Sequence, residues 1–174
     1  LAQQKLKKLN LKLFIYDCYR PQDSVNHFVR WAKDLSDTKM KHIFYPEVKK
    51  NQLFSSGYIA ARSGHSRAST IDLSIIQINA DVNKIKKLHL RDCRKSISKE
   101  AKNLGVIEMG STYDCFDSLS HTQNSSISEE AKFNRNLLKK TLENVGFKNY
   151  SKEWWHFTYK GETYPNIYFN FPIE

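Results

Sequence analysis

The sequence predicts an α+β fold, a twisted and mostly antiparallel sheet with helices packed against it. Three observations lead there. Thr70-Ile71-Asp72-Leu73-Ser74-Ile75-Ile76 alternates like a strand, and Leu138, Leu142 and Val145 share one face of a helix. Strand-like and helix-like stretches also follow one another without the regular alternation that builds a parallel sheet. With 174 residues and no linker, repeat or low-complexity tract, one domain spanning 1–174 is expected.

Residues 1–9 read as the end of an amphipathic helix with Leu6 and Leu9 inward, and Asn10 suits the left-handed residue that stops it. Because the chain starts at Leu1 and enters this pattern at once, an upstream part of the domain is expected to be missing. Residues 11–17 form a strand whose apolar positions crowd toward its C-terminal half, with Arg20 just beyond. Pro21 fits the first position of a helix reaching residue 35 along the stripe Val25, Phe28, Ala32 and Leu35. His27 on that helix reads as a surface residue. Residues 36–58, broken at Pro46, predict a long surface excursion with one short helical turn.

After the strand at Asp72, residues 77–108 carry eight basic against four acidic residues and read as a basic, partly helical insertion, either a solvated decoration or an arm over the site. Ser126 with Glu129 fits a capping box for the helix that Gly146 ends. Residues 152–159 and 164–171 read as a strand pair joined by a hairpin turn at 160–162.

The net charge of +10 suits an anionic partner without choosing one. Cys18, Cys93 and Cys115 leave one unpaired if two join and form no C-x-x-C, so neither a disulfide scaffold nor a thiolate metal site is indicated. No run of about 18 apolar residues predicts a membrane span. Compartment and oligomeric state stay open.

The chemistry concentrates in two stretches, Ser63-Gly64-His65-Ser66-Arg67-Ala68-Ser69-Thr70-Ile71-Asp72 and Glu153-Trp154-Trp155-His156. His65, Asp72 and His156 offer two imidazoles and a carboxylate, a ligand set suited to a catalytic zinc ion with one position open for water. Bound zinc brings the pKa of water from 15.7 toward about 7, and Glu153 is the candidate base for that water. On an ideal strand, positions 153 and 156 face opposite ways, so irregular backbone is predicted near Glu153.

These two motifs, with Ile15-Tyr16-Asp17-Cys18-Tyr19-Arg20-Pro21 and Met109-Gly110-Ser111-Thr112-Tyr113-Asp114 in order between the termini, make a sequence that resembles the zinc D-alanyl-D-alanine dipeptidases of the vancomycin-resistance type. The resemblance runs from about Leu6 to Pro172, apart from 77–108. It implies one zinc per chain and hydrolysis of D-Ala-D-Ala to free D-Ala. Arg20 would stabilise the oxyanion, Asp114 would hold the substrate ammonium, and Ser63 or Ser66 would take its carboxylate. Ala68 stands where the family usually has Gly.

The alternatives are a D,D-carboxypeptidase or L,D-type peptidase acting on longer wall peptides, and a non-catalytic basic binding protein, with aromatics at 13% but no recognisable nucleic-acid motif. Gly64-His65-Ser66-Arg67-Ala68 also approaches a nucleophile elbow, but the strand follows it where such an elbow needs a helix. His42, His89 and His121 lack motif partners and read as structural.

Overall fold

A computed structural model describes residues 1–173. The expected α+β architecture is present: a four-stranded antiparallel sheet in the order β1-β2-β4-β3, formed by β1 (Leu11–Asp17), β2 (Thr70–Gln77), β3 (Phe147–Asn149) and β4 (His156–Tyr159). The helices are α1 (Ala2–Lys7), α2 (Gln22–Lys33), α3 (Lys41–Phe44), α4 (Val82–Ile85), α5 (Lys99–Asn103) and α6 (Glu129–Glu143).

Helices α1 and α6 pack with β1 and β3 and with each other. Leu6, Leu73, Ile75, Met109, Leu138, Trp154, Trp155 and Phe157 form the main core there. Leu6 is buried as expected, but Leu9 is exposed because α1 stops at Lys7, before Leu9 can turn inward. Asn10 takes φ 57°, the left-handed step that turns the chain into β1. As an edge strand, β1 buries none of its residues fully, and Ile15 is exposed. The crowding of apolar positions toward its C-terminal half, which reads as burial of that end, is therefore not matched by burial. Central β2 is buried on both faces instead of one.

Helix α2 begins one residue later than expected, with Pro21 as its N-cap, and ends at Lys33. Val25 and Ala32 are buried, while Phe28 and Leu35 are exposed. The excursion 36–58 holds α3 and a 3-10 turn, Lys50–Gln52, and builds more than surface. Tyr45, Leu53 and Ile59 join Ala32 and Phe116 in a second core, where Trp31 covers the Lys50 ammonium at 4.1 Å.

Two local expectations fail for physical reasons, and the pairing of the cysteines, left open by the sequence, is decided. The cap of α6 is Ser128, whose Oγ accepts from Ala131 N, so no Glu reciprocates. Cys93 and Cys115 form a disulfide across 22 residues, a pairing no local pattern announces, and Cys18 is the free thiol. The predicted hairpin is absent because 164–171 hydrogen-bonds elsewhere: Phe169 N donates to Ser66 O, Gln22 N donates to Phe169 O, and Tyr19 stacks on Phe171 at 4.1 Å. The partner of β4 on that side is β3, which is too short to show a period.

The strand register is what positions the site. Asp17 pairs with Asp72, and Asp72 pairs with His156, so these three lie side by side across β1, β2 and β4. A register shift between Ile15 and Asp17 bends β1 at that point.

Candidate metal centre

His65 arrives from the 3-10 turn Gly64–Arg67, which Ser63 caps by accepting from His65 N at 3.2 Å. A Cβ on Gly64 would run into Thr70 Oγ1, so only glycine fits there. Ala68 closes the turn at φ 55°, in the left-handed region that favours glycine. That conformation costs an L-residue about 1–2 kcal/mol, and glycine gives back about 0.4–1 kcal/mol in unfolded-chain entropy. Ala68→Gly is therefore expected to raise Tm slightly, by about 1–2 °C in a thermal melt. A fall would show that the Ala68 methyl packs better than its backbone is strained.

His65 Nδ1 lies 2.7 Å from Cys18 O. A carbonyl only accepts, so Nδ1 carries a proton, and in the neutral ring Nε2 presents its lone pair. That lone pair faces Asp72 Oδ2 at 3.2 Å, one acceptor against another. Asp72 Oδ1 is 3.0 Å from His156 Nδ1 without the alignment of a hydrogen bond, and is buried with no other partner. A cation shared by the three groups resolves both conflicts, and their ligand atoms lie within 4.8 Å of one another. The donor set thus fits a divalent metal. Burial pushes the Asp72 carboxyl up, but the His156 and His65 rings, when they are protonated and donate to it, outweigh burial and hold it well below the usual carboxylate range.

Glu153 occupies the turn that precedes β4, as the irregular backbone expected there requires, although the strand itself starts only at His156. Trp154 and Trp155 are buried in the core, and Trp154 Nε1 donates to Ser111 Oγ. The Asn149 amide donates to Glu153 O and His156 O, pinning both ends of the turn. Anchored this way, the segment brings Glu153 Oε2 to 3.4 Å from His156 Nδ1. Burial raises the Glu153 carboxyl well above its ordinary value, with the Asp72 and Asp114 charges adding to it and Arg20 opposing.

Arg20 is held by Asp17 Oδ2, at 2.6 Å from Nη2 and 2.9 Å from Nε, with Phe28 5.8 Å from its guanidinium. Asp114 has φ 56° and follows Tyr113. Although part of Asp114 is open, enclosure of its carboxyl and then the Asp72 charge push its pKa up to about 7. The buried Arg135 fixes this loop by donating to the carbonyls of Met109, Leu119 and His121.

Arg20, Ser63, His65, Asp72, Asp114, Glu153 and His156 therefore line one cleft of about 340 Å³. Ser66 is not among them: it is fully buried and its Oγ has no partner, which also leaves a Ser66 nucleophile without access or base. His27 is exposed on α2 and is not among the residues that line this cleft.

Tyr113, Asp17 and the Cys18 carbonyl are site residues that sequence reasoning passed over. Tyr113 Oη donates to Asp72 Oδ2 at 3.2 Å and stacks on Tyr16 at 4.2 Å. Burial, then the Asp114 and Asp72 charges, raises its pKa, so it stays a donor. The one available signal was that all three lie inside the quoted motifs.

An α+β sheet carrying a His-Asp-His cluster, a buried carboxylate and an arginine on one cleft has the make-up of a metallopeptidase. The D-ala-D-ala dipeptidase family model matches residues 1–85 and 84–174, and the chain belongs to that family, whose members are metallopeptidases. The D-alanyl-D-alanine dipeptidase of Enterococcus faecium is 34% identical across 100% of this chain and 78% of its own length. Those of Streptomyces coelicolor and Enterococcus faecalis are each 33% identical across 99% of this chain and 74% of their own length. The match runs through 77–108, where the two segments meet.

Proposed function

We propose that this chain, acting as one domain over 1–174, hydrolyses D-Ala-D-Ala to two D-Ala, with one zinc ion held by His65, Asp72 and His156. The observation that carries this is the convergence of those three groups with Glu153 and Arg20 on a single small cleft. At about 340 Å³ it lies at the low end of the range of about 300–1,000 Å³ for small-ligand sites, which favours a dipeptide over a longer wall peptide.

A zinc ion held by these residues would supply Lewis acidity, acidifying water and polarising the scissile carbonyl. The chain's own residues do the rest. Glu153 takes the proton of the attacking water and passes it to the leaving amine, and its raised pKa suits both roles. Arg20, oriented by Asp17, stands where negative charge grows on the carbonyl oxygen. Asp114 takes the substrate ammonium. Ser63, whose Oγ accepts from His65 N and keeps its O–H free to donate, takes the carboxylate. The test is incubation of zinc-loaded protein with D-Ala-D-Ala and with a wall pentapeptide, following free D-Ala: release from the dipeptide alone is expected, and release from the pentapeptide alone would overturn the assignment.

Tyr113 orients Asp72 for this ion, and such supporting hydrogen bonds contribute about 10–100-fold to metal affinity. Tyr113→Phe is expected to weaken zinc binding by about tenfold in a chelator competition. Unchanged affinity would mean that Asp72 is held by the sheet alone.

A further inference from the structure

Helix α2 borders the cleft: Arg20 stands two residues before its start, and Phe28 on it faces the Arg20 guanidinium. Its first turn lacks a cap of its own. Asp81, Ser98 and Ser128 cap α4, α5 and α6 with their side chains, whereas the N-cap of α2 is Pro21, which has no side-chain oxygen. Ser24 N and Val25 N reach Pro21 O, leaving the amides of Gln22 and Asp23 without a partner inside the helix. Both are met from the far end of the chain. Gln22 N donates to Phe169 O at 3.0 Å, and Asp23 N donates to Asn170 Oδ1 at 2.8 Å. Asn170 Nδ2 donates in turn to Asp23 Oδ2 at 2.9 Å, so the pairing is reciprocal.

The same segment is tied to the turn that carries His65. Phe169 N donates to Ser66 O at 2.8 Å, Arg67 Nε donates to Glu162 Oε2 at 2.8 Å, and Tyr19 Oη donates to Phe171 O at 2.9 Å. Residues 162–171 therefore form a strap with one grip on the His65 turn and another on the start of α2. Arg20 N to His65 O, at 3.3 Å, and His65 Nδ1 to Cys18 O, at 2.7 Å, join the two segments directly, and the strap adds the hold on the helix that follows. Resting on the reading in which Arg20 serves the oxyanion, we infer that Asn170 is a positioning residue for the reaction. It caps α2 from 147 residues away and thereby sets Arg20 against the metal site. Asn170 is exposed and belongs to neither core, so replacing it leaves the core packing in place.

The experiment measures kcat and KM of the zinc-loaded full chain for D-Ala-D-Ala, and amide hydrogen exchange of the metal-free chain, in Asn170→Ala, Arg20→Ala and their combination. Asn170→Ala is expected to lower kcat by about tenfold with little change in KM, less than the about 10²-fold that a misplacement of about 1 Å can cost. The Asp23 amide is expected to exchange about 2–30-fold faster, the range to which loss of an N-cap converts. Added to Arg20→Ala, Asn170→Ala is expected to lower kcat no further, because both act through one guanidinium. Exchanging the partners, Asp23→Asn with Asn170→Asp, keeps an acceptor for the amide at position 23 and is expected to restore most of kcat. Asn170→Asp alone sets two carboxylates face to face and is expected not to. Parent-like kcat in Asn170→Ala, unchanged exchange at position 23, or a loss that multiplies with that of Arg20→Ala overturns the inference. A parent that releases no D-Ala, or an Arg20→Ala variant that keeps its kcat, marks failure of the reading beneath it and takes this inference with it.

Discussion

Glu153→Gln is expected to lower kcat for D-Ala-D-Ala by about 10²–10⁴-fold, the usual contribution of a positioned proton-transfer group, with zinc content unchanged. Glutamine has nearly the same shape but cannot accept the proton of the attacking water, while the three candidate ligands are left in place. Stability separates this role from a structural one. Burial, then the charges of Asp72 and Asp114, raise the Glu153 pKa above its unfolded value, so ionising it at neutral pH works against folding. The sign follows from linkage: an acid with a raised folded pKa loses stability as pH rises past its unfolded pKa. The metal-free Gln variant is therefore expected to melt no lower than the parent at neutral pH, and to lose the parent's low-pH advantage. A variant that melts much lower, or one that still turns over normally, would remove Glu153 from the chemistry.

Arg20→Ala is expected to reduce kcat by about 10²–10³-fold, the effect of deleting one oxyanion donor, with a smaller change in KM. The guanidinium is presented by a two-point grip on Asp17 Oδ2 at the end of β1, next to the register shift that bends the strand. A lysine has no fork with which to make that grip, so Arg20→Lys is expected to rescue little. Asp17→Asn weakens the grip while leaving the Arg20 guanidinium charge in place, and should cost less than Arg20→Ala. The role fails if Arg20→Ala raises KM and leaves kcat alone, since that is the pattern of ground-state binding.

Much of this was legible in the sequence because the decisive patterns are local. The period-two run of β2 placed Asp72 on a strand, the stripe of Leu138 and Leu142 placed α6, and the impossibility of Glu153 and His156 sharing a strand face foretold the turn between them. Ala68 in the usual glycine place pointed to the left-handed residue found there. What stayed hidden depends on contacts distant in sequence. The Cys93–Cys115 bridge, the second core around Tyr45 and Leu53, and the lay of 164–171 across Ser66 and Gln22 have no periodic signature. Ser66 looked like a substrate group from its motif, and only the packing of its turn shows the side chain turned into the protein. The row Asp17, Asp72, His156 depends on strand register, which no single strand announces.

Metal content tests the central claim most directly. Protein stripped with a chelator, dialysed against zinc and assayed by elemental analysis is expected to bind one ion per chain. His65→Ala, Asp72→Ala and His156→Ala should each lose stoichiometric binding, while Glu153→Gln keeps it. Zinc retained at one per chain in all three ligand variants, or none bound by the parent, would contradict the account.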